Sequence, residues 1–259
     1  HAIKLGLTAT PCTSDEETAS DEDISFVRDT LRFFDVKEPT FTYGMDRAIE
    51  EGYLLPYYTY QARTVRTGNE AGIEVKRNEI DWNILTDEDK EQLEEVFKEE
   101  DKAIFPHTWL ERKITIPERN KSIAKEFRDV IDNGFNDTEG KKHLPPEGKT
   151  IVFAVTKNHA VTLAKIFDDI FQDKKPSPEI RYADYVVSEM GEDDSREAQG
   201  KIKQFKDEEF PKILVSVGML DTGFDCPEIT NLVHARFTKS NILYRQMRGR
   251  GSRKADHIG

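Results

Sequence analysis

Apolar residues in the second half of the chain form short continuous runs that alternate with stretches of helical periodicity. Runs of this length, bounded by turn-forming residues, indicate buried strands. They are KTIVFAV (149–155), RYADYVVS (181–188), KILVSVG (212–218) and TNLVHARF (230–237). Helical periodicity predicts one helix before the first run, over 117–134, and two between the runs, over 158–171 and 195–210. NILYRQM (241–247) predicts the start of another. This alternation predicts an α/β fold, in which a parallel sheet is covered by helices on both faces.

The periodicity of two helical segments also predicts which residues face the sheet. In 158–171 the inward face would carry Val161, Ala164, Phe167, Ile170 and Phe171. In 117–134 it would carry Ile123, Phe127, Val130 and Ile131, with Gly134 just beyond the end of the helix. We expect these two apolar stripes to supply much of the core.

The first half of the chain carries shorter patterns. MDRAIEEGYLLP (45–56) predicts a short helix that stops at Gly52. YYTYQARTVRT (57–67) is rich in β-branched and aromatic residues and predicts a strand. Residues 86–102 predict a charged helix, anchored by the packing of two flanking tryptophans. The face of that helix would carry Leu93, Val96 and Phe97, and the tryptophans are Trp82 and Trp109.

Charge is distributed unevenly along this acidic chain. The formal net charge is −12, and the acidic excess lies in residues 13–25, which predict a loop, and in 86–102. Residues 236–254, by contrast, contain seven Lys or Arg residues and no carboxylate. Such segregation permits a local phosphate-binding site in a protein that is acidic as a whole.

Other features of the sequence exclude several classes of protein. No apolar run approaches the ~18 residues that a membrane-spanning helix needs, and no signal peptide opens the sequence. The two cysteines lie far apart, and the six histidines lack the spacing of metal ligands. We therefore expect a soluble cytoplasmic protein with no membrane partner and no metal site of its own.

Two segments carry the residues best suited to chemistry. YRQMRGRGSR (244–253) gathers four arginines and two glycines in ten positions. The arginine fork is always charged and matches two phosphate oxygens, and glycine lets the main chain approach a ligand closely. SVGMLDTGFDCPE (216–228) places Asp225, a possible acceptor for ribose hydroxyls, shortly after Gly223. Taken singly, a solvated basic loop and an Asp-capped turn explain these segments equally well.

The loops that follow the predicted strands are expected to converge. They contain TKNH, SEMGEDDS, GMLDTGFDCPE and TKSN. In a parallel sheet, ligands collect at the carboxyl ends of the strands, where these loops lie. One edge of the sheet is therefore predicted to form a surface for phosphates or nucleic acid.

Four segments taken together resemble the motif set of superfamily 2 helicases. They are LTATP (7–11), IVFAVT (151–156), SVGMLDTGFD (216–225) and QMRGRGSR (246–253), in the order and rough spacing of motifs III, IV, V and VI. The sequence around these motifs resembles that of the motor subunit of type I restriction-modification enzymes. The segments that carry this resemblance are LGLTATP, AIEEGYLLPY, LDTGFDCPEI and YRQMRGRGSR. The resemblance runs along the whole chain and is loosest at 13–40 and 67–112. It implies a RecA-like second motor lobe.

The resemblance implies roles at the nucleotide for five residues. In motif VI, Arg250 and Arg253 would reach the nucleotide phosphates as arginine fingers, and Gln246 would help to position them. In motif V, Gly223 and Asp225 would lie near the ribose and the phosphates. Arg248 and Gly218 depart from the family pattern, which assigns no fixed role to the former and often has an acidic residue in place of the latter.

Further residues are implied to act on DNA. Thr8 and Thr10 of motif III would couple the nucleotide state to DNA movement. Thr156, Lys157 and Ser188 would contact the DNA backbone without reading its sequence. The implied cofactors are ATP and Mg²⁺. The implied partners are double-stranded DNA, the methyltransferase and specificity subunits, and the first motor lobe and nuclease domain of the same parent chain.

Several motifs of a complete motor are missing from the 259 residues. The sequence contains no G-x-x-x-x-G-K-[ST] loop, no D-E-x-H box and no nuclease cluster of carboxylates and lysine. We therefore expect a fragment that neither binds ATP or Mg²⁺ tightly nor hydrolyses ATP alone. Residues 1–40 would end the first lobe, 41–113 would connect the lobes, and 114–259 would form the second lobe. Two alternatives remain open: the second lobe of another superfamily 2 DNA or RNA helicase, and a scaffold module without motor function.

Overall fold

The computed structural model describes residues 30–61, 72–98, 100–187, 192–220 and 224–236, together with residues 247, 249 and 251. The α-helices in these ranges are α1 (Thr30–Phe34), α2 (Met45–Glu50), α3 (Asp87–Val96), α4 (Pro117–Asn133), α5 (Lys157–Ile170) and α6 (Glu192–Asp207). The strands are β1 (Ile73–Lys76), β2 (Lys102–Phe105), β3 (Phe135–Asn136), β4 (Lys142–His143), β5 (Lys149–Phe153), β6 (Ala183–Val187), β7 (Ile213–Val217) and β8 (Ile229–His234). The loop predicted at 13–25, the helix start at 241–246 and residues 62–67 lie outside the described residues.

Four strands form a parallel sheet in the order β6-β7-β5-β8. Ile151 in β5 lies opposite Leu214 of β7 and Leu232 of β8. Helix α5 connects β5 to β6, and α6 leads into β7. The predicted α/β fold with a parallel sheet is confirmed. Within the described part of the chain, none of the helices has the length and apolar character that a bilayer crossing requires.

The alternation of side chains along β5 divides the core into two layers. Val152 and Ala154 face α4 and α5, whereas Ile151 and Phe153 face α6, because successive side chains in a strand point to opposite sides. The first layer includes Ala124, Leu163, Ala164, Phe167 and Phe171, and the second includes Ala198, Phe205, Leu214 and Met247. Burying a large apolar side chain contributes roughly 1.5–3 kcal/mol, so these layers are the main source of stability.

The helices that cover the sheet begin and end close to the predicted positions. Helix α4 starts at Pro117, which suits the first turn, and ends before Gly134, whose φ of 74° few other residues adopt. The predicted inward face of α5 was wrong at Val161, which is 38% exposed. Leu163 is fully buried instead, since the face toward the sheet is centred near Leu163 and Phe167.

Residues 72–116 form a small subdomain with its own apolar cluster. Strands β1 and β2 pair antiparallel, with Ile73 opposite Phe105. The cluster contains Ile73, Val75, Ile80, Leu93, Phe97, Phe105, Leu110, Ile114 and Ile116. Trp109 stacks on Phe105 with ring centroids 5.7 Å apart, and Trp82 packs edge-on against Phe97 at 6.4 Å. The predicted anchoring of the charged helix is thus confirmed for Trp82, which contacts Phe97 at the end of the helix, whereas Trp109 packs on Phe105 of β2.

The charged helix of this subdomain is shorter than predicted. Helix α3 ends at Val96 rather than at 102, and Lys102 already belongs to β2. Leu93 and Phe97 are buried as expected, but Val96 is 47% exposed. The helix has one narrow buried stripe, because most of its other positions are charged.

The strand predicted over 57–67 is not present in its described part, residues 57–61. These residues instead lie against the β3–β4 hairpin through aromatic contacts. The ring of Tyr58 is 4.1 Å from that of His143, and Tyr60 is 5.4 Å from Phe135. The hydroxyl of Tyr60 also donates to the carboxylate of Glu126 on α4. Aromatic residues favour strands, but here ring packing satisfies them without one.

A buried lysine fixes the amino end of β5 to the carboxyl end of α6. Lys149 is 4% exposed, and its ammonium group donates to the main-chain carbonyls of Phe205, Lys206 and Glu208, the last at 2.7 Å. The carboxylate of Glu228 lies 3.5 Å away. The last carbonyls of a helix lack partners within it and carry partial negative charge, so Lys149 caps α6.

Candidate functional site

All four strands of the sheet end at the same edge, because they run parallel. At this edge β5 continues through residues 154–156 into α5, and β8 continues into Ala235 and Arg236. Strand β7 continues into a turn in which the amide of Leu220 donates to the hydroxyl of Ser216 at 3.3 Å. Of the four loops predicted to converge, those after β5 and β7 begin at this edge within the described residues, and the other two lie largely outside them.

Thr156 is the N-cap of α5. Its hydroxyl oxygen accepts a hydrogen bond of 3.2 Å from the amide of His159. The same hydroxyl donates to the main-chain carbonyl of Glu111, also at 3.2 Å. Lys157, the first residue of the helix, is exposed. The positive end of a 14-residue helix and an exposed ammonium group therefore meet at the edge of the sheet, an arrangement that favours anions.

His159 is buried directly below this cap. Its Nδ1 accepts from the amide of Val155 at 3.2 Å, so in the neutral ring the proton lies on Nε2. Nε2 is 3.2 Å from Oδ1 of Asn120 and donates to it. Burial, and secondarily the positive charge of Arg119, lower the pKa of His159 to about 3. His159 is therefore neutral at physiological pH and acts as a hydrogen-bonding link between α4 and the β5–α5 loop.

Glu111 and Arg119 join the subdomain to two strand ends. Glu111 is 4% exposed and adopts a left-handed backbone conformation, with φ of 61°. Its Oε1 lies 3.8 Å from Nη1 of Arg119, an ion-pair contact beyond hydrogen-bond distance. Nη2 of Arg119 donates to the carbonyl of Ala235, just past β8, at 3.3 Å. Burial raises the pKa of the Glu111 carboxyl, and the adjacent guanidinium opposes that rise.

Gly223 and Asp225, in the segment between β7 and β8, were predicted to lie near the nucleotide, and of the two only Asp225 is among the described residues. It is exposed, whereas its neighbours Phe224 and Cys226 are buried in the core layer that faces α6. Because successive side chains of an extended segment alternate, the buried pair turns Asp225 toward solvent. Gly218, at the start of the turn after β7, has φ of 73°, a conformation that suits glycine and few other residues.

The described residues of the arginine-rich segment pack against the sheet. Met247 is fully buried in the same layer as Phe224. A Cβ added to Gly251 would lie 3.2 Å from the side chain of Leu232, so the main chain passes close to β8. Seven predicted site residues lie outside the described residues, namely Thr8, Thr10, Ser188, Gly223, Gln246, Arg250 and Arg253.

The predicted site residues in the described ranges are Thr156, Lys157 and Asp225. Thr156 and Lys157 lie side by side at the N-terminus of α5. Asp225 does not join them: it lies four residues before β8, and its neighbour Phe224 packs against Phe205, whose carbonyl accepts a hydrogen bond from Lys149 at the amino end of β5. Sequence reasoning missed the polar network of Glu111, Arg119, Asn120 and His159. The only local signal was the spacing Thr156–His159, which is that of an N-cap and its third helical residue. Among the described residues no group of three or more His, Cys, Asp or Glu side chains could hold a metal ion.

The described fold agrees with comparisons to known proteins. Residues 141–255 match the family model of the helicase conserved C-terminal domain. The endonuclease subunit of the type I restriction enzyme EcoKI from Escherichia coli K12 is 29% identical, over 99% of this chain and 19% of its own length. A putative type I restriction enzyme endonuclease subunit, MjaVIIP of Methanocaldococcus jannaschii, is 26% identical over 88% of this chain and 22% of its own length. The chain thus spans about a fifth of these two relatives.

Among solved structures, the chain is similar to a fragment of a putative HsdR subunit of a type I restriction enzyme from Vibrio vulnificus. It is 27% identical with a TM-score of 0.43, and the similarity covers 54% of this chain and 24% of that one. Residues 141–255 thus match a helicase C-terminal domain and contain the parallel α/β sheet, and along nearly its whole length the chain is similar to endonuclease subunits of type I restriction enzymes.

Proposed function

We propose that this chain is part of the ATP-dependent motor that moves double-stranded DNA in a cytoplasmic type I restriction endonuclease. The motor would work with methyltransferase and specificity subunits and with a nuclease domain of the same parent chain. The relatives and the family match support the class of enzyme. The observation that carries the proposal is the common edge at which the loops of the parallel sheet meet, with the N-terminus of α5 and Lys157 at its centre.

On the nucleotide side, the arginine-rich segment would complete a pocket shared with the first motor lobe. Arg250 and Arg253 would stabilise the charge that spreads over the transferred phosphoryl group, an effect worth about 10³–10⁵ in rate, or roughly 4–7 kcal/mol. Gln246 would position them. The main chain at Gly223 would approach the phosphates, and Asp225 would accept hydrogen bonds from the ribose. Of the described residues in this segment, Met247 is buried and the main chain at Gly251 approaches Leu232, so these residues lie against the sheet.

ATP fits the groups this chain supplies, since guanidinium forks bind phosphate oxygens and an exposed carboxylate such as Asp225 suits ribose hydroxyls. Mg²⁺ does not fit the described residues, which contain no cluster of ligands for it. We therefore assign no step of this chain to the ion and propose that residues of the first lobe hold it.

On the DNA side, Thr156, Lys157 and Ser188 would contact phosphates. A motor must hold DNA without reading its sequence, and phosphate contacts meet that need. The amides at the N-terminus of α5 and the ammonium of Lys157 are suited to a phosphate group. Thr8 and Thr10 would transmit the nucleotide state of the first lobe to this surface.

The proposal is tested with the full-length parent protein assembled with its partner subunits. ATP hydrolysis is measured with and without double-stranded DNA, and displacement of a third strand bound to the duplex reports movement. We expect DNA to stimulate hydrolysis and displacement to require hydrolysable ATP. A rate of ATP hydrolysis that is the same with and without double-stranded DNA would overturn the proposal. The 259-residue chain alone is expected to show no turnover, because it lacks a phosphate-cradling loop.

A further inference from the structure

The turn between the subdomain and α4 is rigid and well defined. Residues 109–114 have the sequence WLERKI. The amides of Arg112, Lys113 and Ile114 all donate to the carbonyl of Trp109, at 3.0, 2.8 and 3.1 Å. The amide of Glu111 in turn donates to the carbonyl of Ile114 at 2.7 Å. Four main-chain hydrogen bonds in six residues define the path of the backbone and the directions in which its side chains leave it.

The turn lies beside the edge of the sheet at which the four parallel strands end. The carbonyl of Glu111 accepts the hydroxyl of Thr156, which caps α5. Consecutive Cα atoms are about 3.8 Å apart, so Arg112 follows within one residue of this contact. The exposed Lys157 lies on the other side of the same hydrogen bond, next to Thr156.

The negative charge of the turn is buried, whereas its two positive charges are on exposed residues. Of its three charged side chains, Glu111 is buried and faces Arg119, whereas Arg112 and Lys113 are exposed. The Nζ of Lys113 lies 4.7 Å from the centre of the Trp109 ring, which supports the side chain while leaving its charge accessible. Because the only carboxylate is turned inward, the turn presents two positive charges to solvent on a chain whose net charge is −12.

We propose that Arg112 and Lys113 bind the phosphate backbone of double-stranded DNA beside the N-terminus of α5. This inference depends on the proposed motor function and extends its DNA surface beyond the matched helicase domain, residues 141–255, into the subdomain. The buried pair of Glu111 and Arg119 keeps the turn against the strand ends. The subdomain then moves with the helicase domain and contributes to its hold on DNA.

The test compares DNA binding of the full-length parent protein across salt concentrations. Arg112→Gln/Lys113→Gln removes both charges and keeps part of each side-chain stem. Lys141→Gln/Lys142→Gln is the matched control, because it removes two exposed lysines from the β3–β4 hairpin, which leads to the amino end of β5. For a duplex, the slope of log affinity against log salt decreases by about 0.9 for each phosphate that the protein no longer neutralises. We expect a decrease of about 2 for the turn variant, no change for the control, and the wild-type slope for Arg112→Lys/Lys113→Arg.

The possible outcomes separate this inference from the proposed function. A wild-type slope in the turn variant, or an equal decrease in the control, would overturn the role of the turn while leaving the motor intact. A reduced slope that Arg112→Lys/Lys113→Arg does not restore would point to packing rather than charge and would also overturn it. A parent protein that does not bind duplex DNA would overturn both. Equal thermal unfolding midpoints of the variants verify that all are folded.

Discussion

The hydroxyl of Thr156 donates a hydrogen bond to the main-chain carbonyl of Glu111 across a distance of 3.2 Å. Together with the ion pair of Glu111 and Arg119, this contact links two parts of the molecule that have separate apolar cores. Glu111 belongs to the subdomain of residues 72–116, whereas Thr156 caps the helix that follows the central strand β5. The side chain of Thr156 therefore belongs both to the predicted DNA surface and to the connection between the two parts.

Replacing Thr156 by valine should weaken both roles. Valine has nearly the same shape but neither accepts the amide of His159 nor donates to Glu111, so the free energy of unfolding should decrease by about 1–2 kcal/mol. Thr156→Ser keeps the hydroxyl and is the matched control, which should remain within about 0.5 kcal/mol of wild type. Denaturant unfolding measures both. Equal stability of the valine and serine variants would show that the hydroxyl has no structural role.

The buried His159 predicts a specific dependence of stability on pH. Its pKa of about 3 in the folded protein lies below its ordinary value of 6.5, so the unfolded state binds more protons between these two pH values. The stability that neutral His159 contributes is present above pH 6.5 and is lost as pH falls toward 3. Over this range His159→Gln, which does not titrate, should show a flatter pH dependence of unfolding free energy. An unchanged pH dependence would exclude a buried neutral histidine.

Lys149 should be among the residues most sensitive to substitution at the opposite edge of the sheet. Lys149→Met keeps the apolar stem but leaves three carbonyls at the end of α6 without their charged donor. We expect a loss of about 2–3 kcal/mol, since hydrogen bonds to charged groups contribute roughly 1.5–3 kcal/mol. Lys203→Met, at an exposed position of the same helix, is the control and should change stability by less than about 0.5 kcal/mol. Equal losses in the two variants would contradict the capping role.

The fold of the sheet was predictable because its central strands, β5 and β7, are buried on both faces. The run IVFAV (151–155), which begins in β5 and extends two residues beyond it, is apolar at every position, as expected of a strand covered on both sides. The helices between the strands were predictable from their period, with errors of a few residues at their ends. Val161 was misassigned because periodicity defines an apolar stripe but not its centre, which depends on packing against the sheet.

Two predictions in the first half of the chain were wrong for the same physical reason: the strand over 57–67, in its described part, and the length of the helix over 86–102. Residues 57–61 have the composition of a strand, but strands need partners, and Tyr58 and Tyr60 instead pack their rings against the β3–β4 hairpin. Helix α3 ends early because the following residues pair in β2. Both outcomes depend on contacts between distant parts of the sequence, which composition does not encode.

The candidate site was predictable only in part. Thr156 and Lys157 could be identified because they follow a clear strand and begin a clear helix. Glu111 could not, because it is a charged residue beside Arg112 and Lys113 and nothing in that pattern distinguishes a buried carboxylate from an exposed one. Its side chain is buried facing Arg119, and its main chain adopts a left-handed conformation that glycine would ordinarily mark.

The most direct test of the proposed motor is DNA-stimulated ATP turnover by the full-length parent protein carrying Arg250→Ala or Arg253→Ala. Arg181→Ala is the matched control, because Arg181 is exposed just before the amino end of β6, away from the candidate site. We predict that turnover falls by about 10³-fold or more in each of the first two variants, while binding of duplex DNA persists and the control stays near wild type. Wild-type turnover in both arginine variants would contradict the account.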